Sequence, residues 1–263
     1  MEKAIKRNIN MTEGRLFGKI LTFVLPLMAT NILQVLYNMA DVMIVSLSSE
    51  PDAVGAVGTT ASFVGLILNL VIGLAVGVNV VVAQELGSKD YDGVSRTVHA
   101  STVIGVLFGT FVGVIGMIIS KSVLSLMGNT GRLLELANIY ALIYLAGAPV
   151  IALSNVAISI FRAKGDTKTP LIVMSICGLL NVGLNIFFVV GCGLSVEGVA
   201  IATVVANLAS AIVLFVILAR ENSPCKFSLK KLSFDIKAIK RVMTVGLPAA
   251  VQGALFSLSN MIF

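Results

Sequence analysis

Leu25-Pro-Leu-Met-Ala-Thr-Asn-Ile-Leu-Gln-Val-Leu-Tyr-Asn-Met-Ala-Asp41 is an apolar run interrupted by Thr30, Asn31, Gln34, Tyr37, Asn38 and Asp41. Their steps of three and four place them on one face of a helix. The chain around this run has 263 residues, of which 57% are hydrophobic and 12% charged, with a mean hydropathy of +1.00. Soluble domains of this size do not have that composition, so the solvent of this helix is hydrocarbon. A span needs about 20 apolar residues. Six complete stretches of that length occur, at 19–47, 53–84, 97–120, 133–161, 169–194 and 198–219, and a seventh begins near Val242 and is cut off at Phe263. The first is too long and too polar for a signal-peptide core and has no small-residue cleavage site after it, so it reads as a retained helix. Backbone polar groups find no water in lipid, which leaves helices or a closed barrel, and long runs without strict alternation choose helices.

Asp41 is the single formally charged side chain in the apolar interior of these stretches. A charge at the bilayer centre costs about 2.5 kcal/mol or more, so its default reading is function rather than packing. A stripe of this polarity facing lipid is untenable, and it must line a cavity or another helix.

Lys and Arg fall unevenly between the loops. With the N-terminus placed in the cytoplasm, the inner segments hold Lys3, Lys6, Arg7, Arg15 and Lys19, then Lys89 and Arg96, then Arg162, Lys164 and Lys168. The last inner segment holds Arg220, Lys226, Lys230, Lys231, Lys237, Lys240 and Arg241. Only Lys121 and Arg132 of the 19 basic residues fall outside, which predicts a multi-pass protein of the inner (cytoplasmic) membrane with its N-terminus inside. The net charge of +6 is then the ordinary charge of inner loops rather than a nucleic-acid or lipid recognition patch, and no nucleic-acid partner is expected.

Other chemistry is sparse. His99 reads as a satisfied histidine at the inner end of the third span. Cys177, Cys192 and Cys225 share no metal-like spacing and fall at different depths, so no disulfide framework is expected. The sequence contains no metalloprotease helix, nucleophile elbow or phosphate-cradling glycine loop, and the expectation is that it is not an enzyme.

The one long hydrophilic connection, Arg220 to Arg241, contains Pro224 and a segment that Ser233 or Asp235 could cap as a helix. Ile236, Ile239 and Met243 fall on one face of that helix and Lys237, Lys240 and Arg241 on the others, predicting an interfacial amphipathic helix that leads into the seventh span. Shifting the chain by 222 residues pairs Leu25-Pro26 with Leu247-Pro248, Leu33 with Leu255, Asn38 with Asn260 and Met39 with Met261. Both copies follow a basic inner approach, so the repeat is parallel. The expected organisation is a six-helix lobe over 1–219, a basic inner linker over 220–241 and the start of a repeat-related second lobe over 242–263.

Further polar stripes lie at helical spacing. The fifth span carries Asn181 and Asn185, the sixth Thr203, Asn207 and Ser210, and the fourth Tyr140, Tyr144, Ser154, Asn155 and Ser159. Ser, Thr and Asn commonly join helices by hydrogen bonds at about 0.6–2 kcal/mol each, and most of these residues are read that way. Asp41 differs, because its ionised form needs several donors or a cation. Asn oxygens, a Thr hydroxyl and one carboxylate form a hard-cation site, and a buried carboxylate is equally a proton carrier; both readings stand. Gly73-x3-Gly77 and Gly105-x3-Gly109-x3-Gly113 are read as close-packing motifs, and Pro26 and Pro149 as kinks within spans.

Four passages carry a family likeness. The 25–41 run resembles the first helix of multidrug and toxic compound extrusion (MATE) transporters, and Ala83-Gln-Glu-Leu-Gly-Ser-Lys-Asp90 resembles the loop after their second helix. Phe161-Arg-Ala-Lys-Gly-Asp-Thr-Lys-Thr-Pro170 is similar to their loop between the fourth and fifth helices, and Gly198-Val-Ala-Ile-Ala-Thr203 to the opening of the sixth. The resemblance implies twelve helices in two lobes, exporting organic cations and other amphipathic drugs across the membrane in exchange for Na+ or protons, with no cofactor besides the coupling ion. It implies that Asp41 is the coupling carboxylate with Asn181, Asn185 and Thr203 beside it, the same four being the candidate Na+ ligands, and that Gln34, Tyr37, Asn38 and Asn155 line the adjoining substrate cavity. Many members have an acid where this chain has Asn185. The chain stops at Phe263, so the expectation is an N-terminal lobe whose missing partner is a second lobe or a second copy of itself. The rivals are a lipid-linked saccharide flippase of the same superfamily and a non-transporting membrane scaffold or fragment.

Overall fold

The computed structural model describes residues 16–262, and among them the regular structure is helical. The side chains of Asn260 and Met261, and residues Lys3, Lys6, Arg7 and Arg15, lie outside what it describes. The helices are α1 (Leu16–Val45), α2 (Ala53–Gly87), α3 (Tyr91–Leu126), α4 (Gly131–Ala146), α5 (Ala148–Ala163), α6 (Lys168–Ile186), α7 (Val196–Arg220) and α8 (Ile236–Ile262). A π turn, Phe187–Gly191, extends α6, and a 3-10 turn, Leu229–Lys231, lies in the linker. Six of these helices are long and apolar enough to cross a membrane, and α4 with α5 form a seventh span broken by a 51° bend. The chain is an all-α polytopic membrane protein.

The bend in the fourth span is not the kink that Pro149 predicts. Helix α4 ends at Ala146, and Pro149 occupies the first turn of α5, where a missing N–H costs nothing. The break falls at Gly147, whose missing side chain admits Val204 of α7: a Cβ there would lie 2.3 Å from the Val204 side chain. Opposite the bend, the glycine stripe of α3 seats it. A Cβ on Gly109 would stand 2.8 Å from the Pro149 backbone, and one on Gly113 would stand 2.6 Å from the Leu145 carbonyl. Pro26, by contrast, sits inside a continuous α1, where its carbonyl accepts the Thr30 hydroxyl at 2.8 Å.

Two apolar clusters pack the bundle, and Phe108 of α3 packs against both. The first contains Val57, Phe63 and Ile67 of α2, Leu136 and Leu145 of α4, and Val196 and Val199 of α7. The second contains Leu74 and Val78 of α2, Val156 and Phe161 of α5, and Leu214 and Leu218 of α7. On α7 the residues between the two sets include the polar Thr203, Asn207 and Ser210.

Helix α8 lays its longest contact along α2. The face it buries is Ala238, Val242, Gly246 and Ala250, small residues four apart, and it meets the Gly73-x3-Gly77 pair. Built onto these glycines, a Cβ would stand 2.3 Å from the Ala250 backbone at Gly73 and 2.3 Å from the Val242 carbonyl at Gly77. Asn69 of α2 also donates to the Ser257 hydroxyl at 2.6 Å. Pro26 and Pro248, paired by the 222-residue shift, both lie within helices, yet α1 rests mainly on α6 and α8 on α2.

No separate amphipathic helix precedes the seventh span. Asp235 accepts the Lys237 and Ala238 N–H groups at 2.9 and 3.1 Å and so caps α8 itself, which then runs without a break into the span. The linker upstream is docked onto one end of the bundle. Cys225 and Phe227 are buried, Phe227 stacks on His99 at 5.6 Å between ring centroids, and Lys164 pairs with Glu221. His99 has both ring nitrogens engaged: Nδ1 lies 2.5 Å from the Ser95 carbonyl and Nε2 accepts the Ser228 N–H at 3.0 Å.

Replacing Gly77 with Val should separate α8 from α2 and destabilise the chain by about 1–3 kcal/mol. The check is a disulfide between Asn69→Cys and Ser257→Cys in a background lacking the native cysteines; it should form in the parent and fail with Gly77→Val. A second expectation concerns Cys225, whose thiol is pushed by burial from the ordinary 9.0 up to about 12. The folded state therefore holds this proton more tightly, so its contribution to docking is complete below about pH 9 and is lost as pH rises towards 12. With Cys177→Ala and Cys192→Ala, maleimide should label Cys225 at neutral pH at roughly a thousandth of the rate of an unperturbed thiol.

Candidate functional site

The polar stripes meet in the gap between the two apolar clusters, around a cavity of about 280 Å³ lined from α1, α2, α4, α5, α6 and α7. From α1 come Gln34, Tyr37, Asn38 and Asp41, so four of the six residues on the 25–41 stripe reach it. Thr30 and Asn31 do not. Thr30 is buried and bonded back to Pro26, and Asn31 is exposed.

Asp41 is 7% exposed and Asn185 is completely buried behind it. Asn185 Nδ2 donates to Asp41 Oδ1 at 2.5 Å and also reaches Asn181 Oδ1 at 3.3 Å. Asn181 Nδ2 in turn donates to Thr203 Oγ1 at 3.3 Å, and Thr203 donates to the Val199 carbonyl at 3.0 Å. Four residues from three helices thus form one chain of hydrogen bonds that ends on a carboxylate. The donors lie on successive turns of α6 because Asn181 and Asn185 are four residues apart, and α7 brings Thr203 alongside. One atom of this network is left over: Asn185 Oδ1 is buried and has no hydrogen-bond partner. A buried amide oxygen beside a carboxylate is an acceptor that a cation or an acid proton can use.

Tyr37 sets how closely α1 approaches. Its ring lies over Gly178, where a Cβ would stand 2.0 Å from the ring carbons, and its hydroxyl donates to the Ser175 carbonyl at 3.1 Å. That contact holds Asp41, one turn further along α1, against α6.

All eight residues named from the sequence are brought together. Gln34, Tyr37, Asn38, Asp41, Asn155, Asn181 and Thr203 line the cavity, while Asn185 stands behind Asp41 rather than in the wall. Asn155 holds its amide on the Ile151 carbonyl at 2.8 Å and Asn207 on the Thr203 carbonyl at 2.9 Å, so each presents its amide oxygen as the unoccupied group. The stripes also supply Tyr144, Ser154, Asn207 and Ser210 to the wall. Ser154 and Ser210 stand 3.4 Å apart across α5 and α7. Tyr140 goes instead into the first apolar cluster, and Ser159 offers only its carbonyl, to Asn79 at 3.2 Å. Met174, Cys177 and Gly178 in the wall were missed from the sequence. The signal for them was available, since all three share the face of α6 that carries Asn181.

The site is thus a polar cavity with a single carboxylate, enclosed by helices long and apolar enough to cross a membrane. Residues 26–187, more than half of the chain, match the family profile described as MatE. The chain belongs to the MatE family. It is 27% identical over 245 residues to the probable multidrug resistance protein YoeA of Bacillus subtilis, covering 90% of this chain and 53% of that relative. To the multidrug export protein MepA of Staphylococcus aureus it is 22% identical over 246 residues, covering 94% and 54%. Among solved structures, an outward-facing multidrug resistance transporter of the MATE family superposes with a TM-score of 0.85 at 27% identity, over 96% of this chain and 56% of that one. A transporter of the same superfamily from Pyrococcus furiosus, described as having a binding pocket of reversed polarity that suggests a different function, superposes with a TM-score of 0.82 at 28% identity, over 89% and 52%. The chain spans about half the length of these relatives.

Replacing Asn185 with Leu removes the donor to Asp41 and leaves the carboxylate buried without it, which should lower stability by about 1–3 kcal/mol. Unfolding of the single and double variants with Asp41→Asn, compared as a cycle, should give a smaller loss for Asn185→Leu once Asp41 is neutral. Equal losses in both backgrounds would show that the bond carries no weight.

Proposed function

We propose that this chain supplies the N-terminal lobe of a secondary drug exporter, and that Asp41 is the carboxylate at which a coupling cation and the exported cation take turns. The observation that carries this reading is the placement of one carboxylate, bonded to Asn185, in the wall of the cavity that Gln34, Tyr37, Asn38 and Asn155 share. The names of the relatives, a multidrug resistance protein and a multidrug export protein, support the same substrate class.

The coupling step follows from the charges. A carboxylate held by amide N–H groups in a low-dielectric cavity attracts one positive partner strongly and cannot hold two. Arrival of a cationic drug from one side therefore releases Na+ or a proton, and arrival of that ion from the other side releases the drug. Asn181 and Thr203 position Asn185, and Asn185 positions Asp41. For Na+ the oxygens of Asp41, Asn181, Asn185 and Thr203 are the ligand set; for a proton the Asn185 amide oxygen is its second acceptor. Alternating access needs a second body, which a second lobe or a second copy of this chain would provide. We place the N-terminus and the Lys-rich ends on the cytoplasmic side, as the positive-inside rule requires.

A lipid-linked saccharide flippase would hold a pyrophosphate with Arg or Lys. The residues lining this cavity include neither and do include an Asp, which favours a cationic cargo. In a full-length version carrying both lobes, Asp41→Asn should reduce gradient-driven drug efflux from vesicles by at least about tenfold while leaving the amount of protein in the membrane unchanged. Undiminished export by that variant refutes the role. Separately imposed Na+ and pH gradients identify the coupling ion.

A further inference from the structure

Leu229-Lys-Lys-Leu-Ser-Phe-Asp-Ile-Lys-Ala-Ile-Lys240 joins the docked linker to the second turn of α8. Two ion pairs set its level in the bundle. Arg241 meets Glu85, near the end of α2, at 2.9 Å, and Asp235 stands 3.8 Å from Arg96 in the second turn of α3. The end of α2 and the start of α3 close the same side of the bundle, so residues 229–240 run along the rim where the spans leave the hydrocarbon. Just upstream, buried Cys225 and Phe227 hold the linker against the lobe.

The side chains on this rim are of two kinds. Leu229 is 74% exposed, Ile236 69% and Phe234 59%. Lys230, Lys231, Lys237 and Lys240 are exposed beside them, and none has an acidic partner among the described residues. The segment's one acid, Asp235, is already occupied in capping α8 and facing Arg96. A loop in free water gains nothing by presenting three large apolar side chains. At a bilayer surface the same pattern is favourable, because the apolar groups enter the acyl boundary while lysines meet phosphates.

We propose that residues 229–240 are a docking surface for anionic phospholipid headgroups, with Lys230, Lys231, Lys237 and Lys240 against the phosphates and Leu229, Phe234 and Ile236 seated in the boundary layer. The sequence alone reads these lysines as ordinary inner-loop charge; their interleaving with uncovered apolar side chains at rim height distinguishes them. The surface does not depend on what the cavity carries.

The test uses the whole 263-residue chain, released from bilayers of mixed phosphatidylglycerol and phosphatidylcholine and weighed intact with its retained lipids. The parent should retain phosphatidylglycerol in preference to phosphatidylcholine. Since each basic residue near an anionic surface contributes a several-fold preference, changing the four lysines together to Gln should reduce it by at least about tenfold. Changing the same four to Arg should preserve it, which separates charge from folding, and Lys121→Gln at the other end of the bundle should leave it unchanged. Phe234→Ser with Ile236→Ser should lower retention of both lipids. The proposal is overturned if the four-Gln chain keeps the parent's preference or if Lys121→Gln loses as much. It is equally overturned if inorganic phosphate displaces the lipid at equal concentration, or if a single-stranded oligonucleotide binds the same lysines in its place.

Discussion

The hydrogen bond from Asn185 to Asp41 is the constraint around which this helical bundle is organised. A carboxylate in a membrane interior is tolerated only where fixed dipoles replace the water it has lost. Asn185 can act as that dipole because it is itself fully buried and held four residues from Asn181, which Thr203 accepts in turn. Asn185 Oδ1 is buried without a hydrogen-bond partner, so the network that holds the negative charge keeps a free acceptor beside it.

Packing follows from keeping that network inside. Two apolar clusters, one towards each end of the bundle, close above and below a polar middle layer. The helices come close enough to do so because glycines stand where backbones meet: Gly178 under Tyr37, Gly109 and Gly113 under the bend of the fourth span, and Gly73 and Gly77 under α8. Lipid supplies no hydrophobic drive between helices, so such contacts hold through close van der Waals approach and hydrogen bonds across them. A broken fourth span also has a functional consequence. By bending at Gly147, it carries Ser154 and Asn155 into the cavity wall while Tyr144, before the break, still reaches it.

Much of this was legible in the chain. Seven apolar runs are visible as spans because hydrocarbon sets their length, and the polar faces are visible because 3.6-residue periodicity places them. Gln34, Tyr37, Asn38 and Asp41 could be assigned to one face, and the two asparagines of α6 to another, before their meeting was known. Less legible were features that depend on a neighbour. Pro149 signals a kink from the sequence, but whether a proline bends a helix or starts one depends on the residue before it and on what packs there. Here Gly147 opposite Val204 decided it. The amphipathic pattern after Asp235 was real, yet its small residues found α2 and drew the whole segment into a single helix.

The sequence by itself determined that this is a helical membrane protein with one acid to shelter, because hydropathy, helical period and the cost of a charge in lipid are properties of single segments. Tertiary structure alone decided which side chains complete the site. Asn185 faces Asp41 from 144 positions away, Thr30 and Asn31 fall outside the wall, and Met174 and Cys177 fall within it. Those outcomes depend on how α1 rotates against α6, and that rotation is set by Tyr37 settling over Gly178, a contact that no local pattern encodes.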